Sequence, residues 1–288
     1  MTNRLFCFGF GFTARQIAMD YPHWQVMGTG RSPADDEGKG NIPLFPFRRD
    51  QPIGNFTDIA ADASHILLSI PPDEEGDPVF DVMAPEILRL KNLKWIGYLS
   101  TTGVYGDLDG SWVDEASPYN PSGERGRRRM RAEQAWRGLH EAKGLPVHIF
   151  RLPGIYGPGR NQLVSLKNGK ARRIAKPGQI FSRIHVADLA AILVASMEKP
   201  NPGAIYNVAD DEPSPPQDVV AHAAKLLGVE PPPLIDFETA DLSPMARSFY
   251  SDSKRVSNAK IKSELGVSLK FPTYREGLAA LLDGEIGI

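Results

Sequence analysis

The chain has 288 residues, long enough for a full hydrophobic core and for more than one domain of about 100–150 residues. With 33 basic and 35 acidic side chains its formal net charge is −2, which gives no overall attraction to nucleic acid or to an anionic membrane. The single cysteine, Cys7, excludes an intrachain disulfide, and no apolar stretch approaches the ~20 residues of a membrane span.

The opening Met1-Thr2-Asn3-Arg4-Leu5 leads into an apolar run without the regions of a signal peptide, so a cytoplasmic location is expected. Residues 5–8 read as a strand with Cys7 buried in it, and 13–20 as the start of a helix. Residues 24–27 and 42–47 read as the second and third strands. A fourth strand at 65–69 is followed by a helix at 79–90, and a fifth at 95–99 by a long helix at 124–141. A sixth strand is expected at 147–151. Such alternation, with strands that are almost wholly apolar, indicates a parallel sheet covered on both faces. Right-handed crossovers then make it a doubly wound α/β sheet of the Rossmann type.

Composition changes after Arg151, where Pro153, Gly154, Gly157, Pro158 and Gly159 form a loop-rich passage, followed by proline clusters at 213–216 and 231–233. Residues 1–152 are read as the dinucleotide-binding domain and 153–288 mainly as a smaller C-terminal, substrate-side lobe. A return to the sheet is expected around 183–210, carried by Arg183-Ile184-His185-Val186-Ala187-Asp188-Leu189. The pairing of Ala204-Ile205-Tyr206 is not fixed by pattern.

Gly9-Phe10-Gly11-Phe12-Thr13-Ala14 lies where the first strand meets the first helix. There Gly9 permits a tight turn, Gly11 lets a diphosphate approach the backbone, and Ala14 lets the helix pack close to the strand. The helix N-terminus turns its N–H groups and positive dipole end toward the phosphates. Gly9, Phe10, Gly11, Phe12 and Thr13 are therefore the expected cofactor contacts. Beyond the second strand stand Arg31 and Ser32, a planar charged donor set and a hydroxyl that suit a ribose 2′-phosphate. This favours NADP(H); Asp35 and Asp36, a few residues on, keep NAD(H) open if the loop folds back. Ser69, Ile70 and Pro71 end the fourth strand and should line the same crevice.

Further along come Leu99-Ser100-Thr101-Thr102-Gly103-Val104-Tyr105-Gly106, Arg151-Leu152-Pro153-Gly154-Ile155-Tyr156-Gly157-Pro158-Gly159 and Ile184-His185-Val186-Ala187-Asp188. Tyr206-Asn207-Val208-Ala209-Asp210, Leu265-Gly266 and Tyr274-Arg275-Glu276-Gly277-Leu278 complete the set. In this order, and with the glycine turn, they resemble the extended short-chain dehydrogenase/reductase family of NAD(P)-dependent epimerases and dehydratases over most of the chain. The resemblance implies that Thr101, four residues before Tyr105, hydrogen-bonds the reacting oxygen beside Ser100 and Thr102. It places Thr102, Tyr105 and Tyr156 on the substrate side.

The family's helix signature is Tyr-x-x-x-Lys-x-x-x-Glu. Glu133 fits its last position, which puts Arg129 at the lysine and Arg125 at the tyrosine, on one helix face. Arg129 can replace the lysine in charge and hydrogen bonding, but Arg125 cannot act as acid or base because a guanidinium stays protonated. The chain thus resembles an atypical member lacking Tyr-x-x-x-Lys. Tyr119 lies too early to substitute. Tyr105, Glu124, Tyr156 and His185 are the remaining candidates for proton transfer, His185 having the most suitable intrinsic pKa.

Two readings stand for Arg125, Arg127, Arg128, Arg129 and Arg131: solvated charges paired with Glu124, Glu133 and Glu141, or a contact for a phosphorylated or carboxylated substrate. Nucleic acid would need a wider basic field. The expectation is an NADP(H)-binding oxidoreductase or epimerase/dehydratase-like enzyme for a small polar, phosphorylated or nucleotide-linked substrate. The alternative is a non-catalytic NAD(P) sensor. No metal, nucleic-acid or membrane partner is expected, and family analogy adds a homodimer.

Overall fold

The computed structural model describes residues 3–31 and 42–286. Its first elements are β1 (Arg4–Phe8), α1 (Phe12–Asp20), β2 (Gln25–Gly30), β3 (Leu44–Pro46), α2 (Phe56–Ile59), β4 (His65–Leu68), α3 (Pro78–Ile87) and β5 (Trp95–Thr101). Next come β6 (Trp112–Val113), α4 (Glu124–Lys143), β7 (Val147–Leu152), β8 (Gly154–Tyr156), α5 (Gln162–Lys167), β9 (Arg173–Ala175), β10 (Arg183–His185) and α6 (Val186–Glu198). The remainder is β11 (Ile205–Asn207), α7 (Pro216–Leu227), β12 (Leu234–Asp236), α8 (Pro244–Phe249), β13 (Arg255–Val256), α9 (Ala259–Leu265) and α10 (Tyr274–Ile286).

The chain divides into two compact units of comparable length. The first comprises Met1–Thr101, Arg127–Arg151 and Leu189–Tyr206; the second comprises Thr102–Gly126, Leu152–Asp188 and Asn207–Ile288. Residues 102–126 thus group with the second unit, and the chain re-enters the first at Arg127 and again at Leu189.

A seven-stranded parallel sheet, ordered β11-β7-β5-β4-β1-β2-β3, runs through the first unit. Leu5, Phe6, Cys7 and Phe8 are all 0 % exposed, which is what a strand covered on both faces requires of consecutive side chains. Phe6, Phe8, Phe56, Ile66, Ile96, Tyr98 and Trp136 belong to one buried cluster. Asp77 starts α3 by accepting the N–H groups of Val79 and Phe80, with Pro78 in the first turn. Its other carboxylate oxygen accepts the indole N–H of Trp136 at 3.1 Å, tying α3 to α4.

The return to the sheet falls within the expected 183–210, but at Ile205–Asn207 and not at 183–189. Residues 183–185 form β10, which pairs with β8 outside the central sheet, and the chain turns helical at Val186. His185 Nδ1 accepts the N–H of Ala187 at 3.1 Å, and Asp188 accepts the N–H groups of Lys270 and Phe271. The first contact lies at the start of the helix Val186–Glu198, the others tie its first turn to residues 270–271, and Ile205–Asn207 forms the edge strand. In the second unit, β10–β8, β12–β9 and β13–β6 are separate parallel pairs. Leu163, Val219, Ala223, Tyr274, Leu278 and Leu281, from α5, α7 and α10, form a core there. Among the described residues no helix is long and apolar enough to cross a membrane.

Candidate functional site

Strand order reverses at β1, which has β2 on one side and β4 on the other. In open α/β sheets the carboxyl ends at such a switch point form the ligand crevice. Gly9 follows β1 there with φ +91°, and a Cβ on it would lie 2.6 Å from Ser69 Oγ and 3.1 Å from Ile70 Cγ1. Ser69, just past β4, uses its hydroxyl to hold the turn: Oγ lies 3.0 Å from Phe8 O and 2.7 Å from Gly9 O. On the other flank the N–H of Gly9 donates to Thr29 Oγ1 at 2.8 Å, and that of Phe10 to the Thr29 carbonyl at 2.8 Å. Two neighbouring strands therefore fix the glycine turn through Ser69 and Thr29.

Gly11 is different. It caps α1 without any side-chain hydrogen bond, and nothing lies within 4 Å of where its Cβ would stand. The first turn of α1 opens onto that space, with Thr13 and Ala14 buried beneath it. An uncapped helix start with clear space before it suits an anion, so the residues present fit a dinucleotide diphosphate. Arg31 is exposed directly after β2. Ser32, Asp35 and Asp36 lie outside the described residues.

At the end of β5 the carbonyl of Leu99 accepts a hydrogen bond from Arg129 Nη1, and the Arg129 guanidinium lies 5.7 Å from the Tyr98 ring centroid. One turn further along α4, Glu133 is 0 % exposed and accepts from the Ser100 hydroxyl. The two residues meet successive positions of β5, so positions 129 and 133 share the helix face turned to the strand. Arg151, on β7, donates to Glu133 through Nε at 3.3 Å and Nη2 at 3.0 Å, and is 1 % exposed. Glu133 therefore pairs with Arg151, and the sequence pattern held no signal for that contact between strand and helix. Thr101 is partly exposed at the end of β5. Arg128 pairs with Glu74 at 3.5 Å, and Arg137, outside the expected cluster, pairs with Glu141 at 3.6 Å.

In the second unit Gly126, the third residue of α4, is buried, and a Cβ on it would meet Gly103 O at 2.7 Å. Arg125 beside it is exposed, with its guanidinium 5.2 Å from the Phe249 ring centroid. Thr102 is 9 % exposed. Tyr105, expected on the substrate side, is 0 % exposed and donates to Asn207 Oδ1 at 2.7 Å. The Asn207 N–H in turn donates to Glu115 Oε1 at 2.7 Å, so Tyr105 is a core pin whose phenol is engaged by protein. Tyr156 is partly buried, edge-on to His185 at 5.1 Å, and burial pushes its phenol pKa up. His185 is 4 % exposed, its Nδ1 held by the start of α6.

Asp210, the last residue of the motif at 206–210, has no role assigned from the sequence. It is 1 % exposed, and burial pushes its carboxyl pKa up to about 8 against the opposing pull of Arg183. Oδ1 accepts the N–H of Glu212 at 3.3 Å, while Oδ2 has no hydrogen-bond partner among the described residues.

Residues 84–209 match the model of the NAD dependent epimerase/dehydratase family. A conserved protein of unknown function from Silicibacter pomeroyi is 49% identical, over 99% of this chain and 100% of that one, with a TM-score of 0.89. Protein YeeZ of Escherichia coli K12 is 27% identical over 278 residues, 92% of this chain and 94% of its own. The fold also resembles that of a dTDP-glucose 4,6-dehydratase from Bacillus anthracis, solved in complex with NAD. That likeness covers 98% of this chain and 96% of that one, at 16% identity and a TM-score of 0.78. Over residues 84–209 the chain thus matches the NAD dependent epimerase/dehydratase family, and its Rossmann-type sheet agrees with that match.

Proposed function

We propose that this protein binds NADP(H) and acts as an oxidoreductase or epimerase/dehydratase on a small polar substrate carrying an anionic group. The observation that carries the reading is the turn at the switch point, where Ser69 and Thr29 brace Gly9 while Gly11 stays open at the start of α1. Gly11, Phe12 and Thr13 would hold the diphosphate, Arg31 the adenosine ribose, and Ser69, Ile70 and Pro71 the far wall of the crevice. The family match and the NAD-bound Bacillus anthracis dehydratase support a nicotinamide cofactor; Arg31 supports the phosphorylated form. When bound, such a cofactor supplies hydride donation or acceptance.

The chain's own contribution begins at the end of β5. Thr101 offers a hydroxyl that can donate to a carbonyl or accept from an alcohol. Arg129, anchored on the Leu99 carbonyl, keeps a permanent positive charge beside that strand end. A non-catalytic nucleotide sensor is the second reading, favoured by arginines at 125 and 129, since neither can exchange a proton with substrate.

Fluorescence titration with NADPH and NADH, on the parent protein and on Gly11→Val, tests the reading. Valine fills the open space before α1, so binding is expected to fall by at least tenfold, about 1.4 kcal/mol, with an unchanged circular dichroism spectrum. Retained affinity would remove this turn from the site. Binding without turnover across a panel of small carbonyl compounds and nucleotide sugars would select the sensor.

A further inference from the structure

We propose that Arg48, beyond the glycine motif and beyond the residue that follows β2, supplies a second guanidinium to the adenosine 2′-phosphate and so sets the preference for NADP(H). The inference rests on the NADP(H) reading given above and assigns a residue that reading does not contain. Strands β2 and β3 run parallel with Gly28, Thr29 and Gly30 opposite Leu44, Phe45 and Pro46. The pairing continues one step further, because the N–H of Phe47 donates to the Gly30 carbonyl at 3.1 Å. Arg48 is therefore delivered to the same sheet edge as Arg31, although 17 residues separate them in the chain.

A tight turn fixes its backbone: Arg48 N donates to Gln51 O at 3.2 Å and Gln51 N to Arg48 O at 3.1 Å. From there the side chain is exposed, and Nη2 reaches the Arg31 carbonyl at 3.4 Å. That long contact engages one of the five N–H donors of the guanidinium.

The neighbouring arginine shows what a structural role looks like here. Arg49 is 23% exposed and bound to Asp73 at 2.7 Å, to Glu75 at 3.5 Å and to Asp81. Arg48 pairs with no carboxylate among the described residues. A long cation held against the backbone of position 31, with most of its donors unengaged among the described residues, loses side-chain entropy for little return. A phosphate monoester carries about −1.5 to −2 charges and three acceptor oxygens, and arginine recognises it by parallel charge-assisted hydrogen bonds. The ribose 2′-hydroxyl of NAD(H) offers neither.

The test is calorimetric binding of 2′,5′-ADP and 5′-AMP, with fluorescence titration of NADPH and NADH, on the parent, Arg48→Gln and Arg48→Lys. Arg48→Gln is expected to weaken 2′,5′-ADP and NADPH by at least about tenfold while changing 5′-AMP and NADH less than about twofold. Arg48→Lys, which keeps the charge but loses the fork, should recover part of the loss. Equal weakening of all four ligands would mean that Arg48 acts on the adenosine or on the fold, and would overturn the proposal. A parent protein that prefers 2′,5′-ADP, with Arg48→Gln unchanged, would remove Arg48 and leave the NADP(H) reading standing. A parent protein without that preference would overturn both.

Discussion

Gly9 and Gly11 sit two residues apart and answer to opposite demands. At Gly9 the backbone is in the positive-φ region and a methyl group would collide with Ser69 Oγ, so the constraint belongs to the fold. At Gly11 the backbone is extended and the space is open, so the fold sets no such limit there. Gly9→Ala is accordingly expected to lower stability by about 1–3 kcal/mol, read as an earlier midpoint in urea, and to weaken nucleotide binding as the turn shifts. Parent-like midpoint and affinity in that variant would show that the turn absorbs the methyl group. The spacing of the two glycines was visible in the sequence, as was the tight turn required of the first. The source of its steric limit was not, because Ser69 lies 60 residues away and reaches it only through the pairing of β1 with β4.

At the scale of an element, α4 shows how a uniform-looking run is divided by geometry. Its arginines share a sequence neighbourhood but not a surroundings: Arg129 turns to the Leu99 carbonyl, Arg128 to Glu74, and Arg125 to the Phe249 ring. The face toward β5 carries Glu133, and that carboxylate with Arg151 forms a buried ion pair joined by Ser100. Removing one member leaves the other charge without its partner in a site that excludes water. Glu133→Leu is therefore expected to cost about 3–5 kcal/mol, and the paired Glu133→Leu/Arg151→Met to recover most of it. Urea denaturation of the two variants measures this; a paired variant as weak as the single one would mean that the charges are needed for packing geometry. Helical spacing placed 125, 129 and 133 on a common stripe, and the contacts of 129 and 133 with β5 agree with it. Spacing could not foresee Gly126, whose missing side chain admits the Gly103 carbonyl.

The two units of the whole molecule were unequally legible, for a physical reason. Strands β1, β4 and β7 are buried at nearly every position, so each stands out as an apolar run, and the central sheet could be read from them. In the second unit the paired strands are two or three residues long, too short for a period to appear, and β11 was hidden for the same reason. The units also hold ionisable groups of opposite consequence. In the first, burial pushes the His65 and His148 pKa values down to about 4. Asn201 donates its N–H to His148 Nε2 at 2.9 Å, so Nδ1 carries the proton toward the Pro146 carbonyl, and a second proton would meet that N–H head-on. The folded state then binds fewer protons than the unfolded one, and stability falls as pH drops from 6.5 toward 4. In the second unit Asp210, raised from 3.8 to about 8, keeps a proton that the unfolded chain releases, so its contribution is lost as pH rises through that window. Burial dominates over Arg183, which favours the ionised form, while Asp211 and Glu212 oppose it. Asp210→Asn should therefore gain stability relative to the parent steadily between pH 4 and pH 8, while His148→Gln should shorten the acid loss by about half, His65 supplying the rest. Denaturation midpoints at pH 4.5, 6.5 and 8.5 separate the two effects. A difference between Asp210→Asn and the parent that stays constant across the three would show that Asp210 is ionised in the fold throughout.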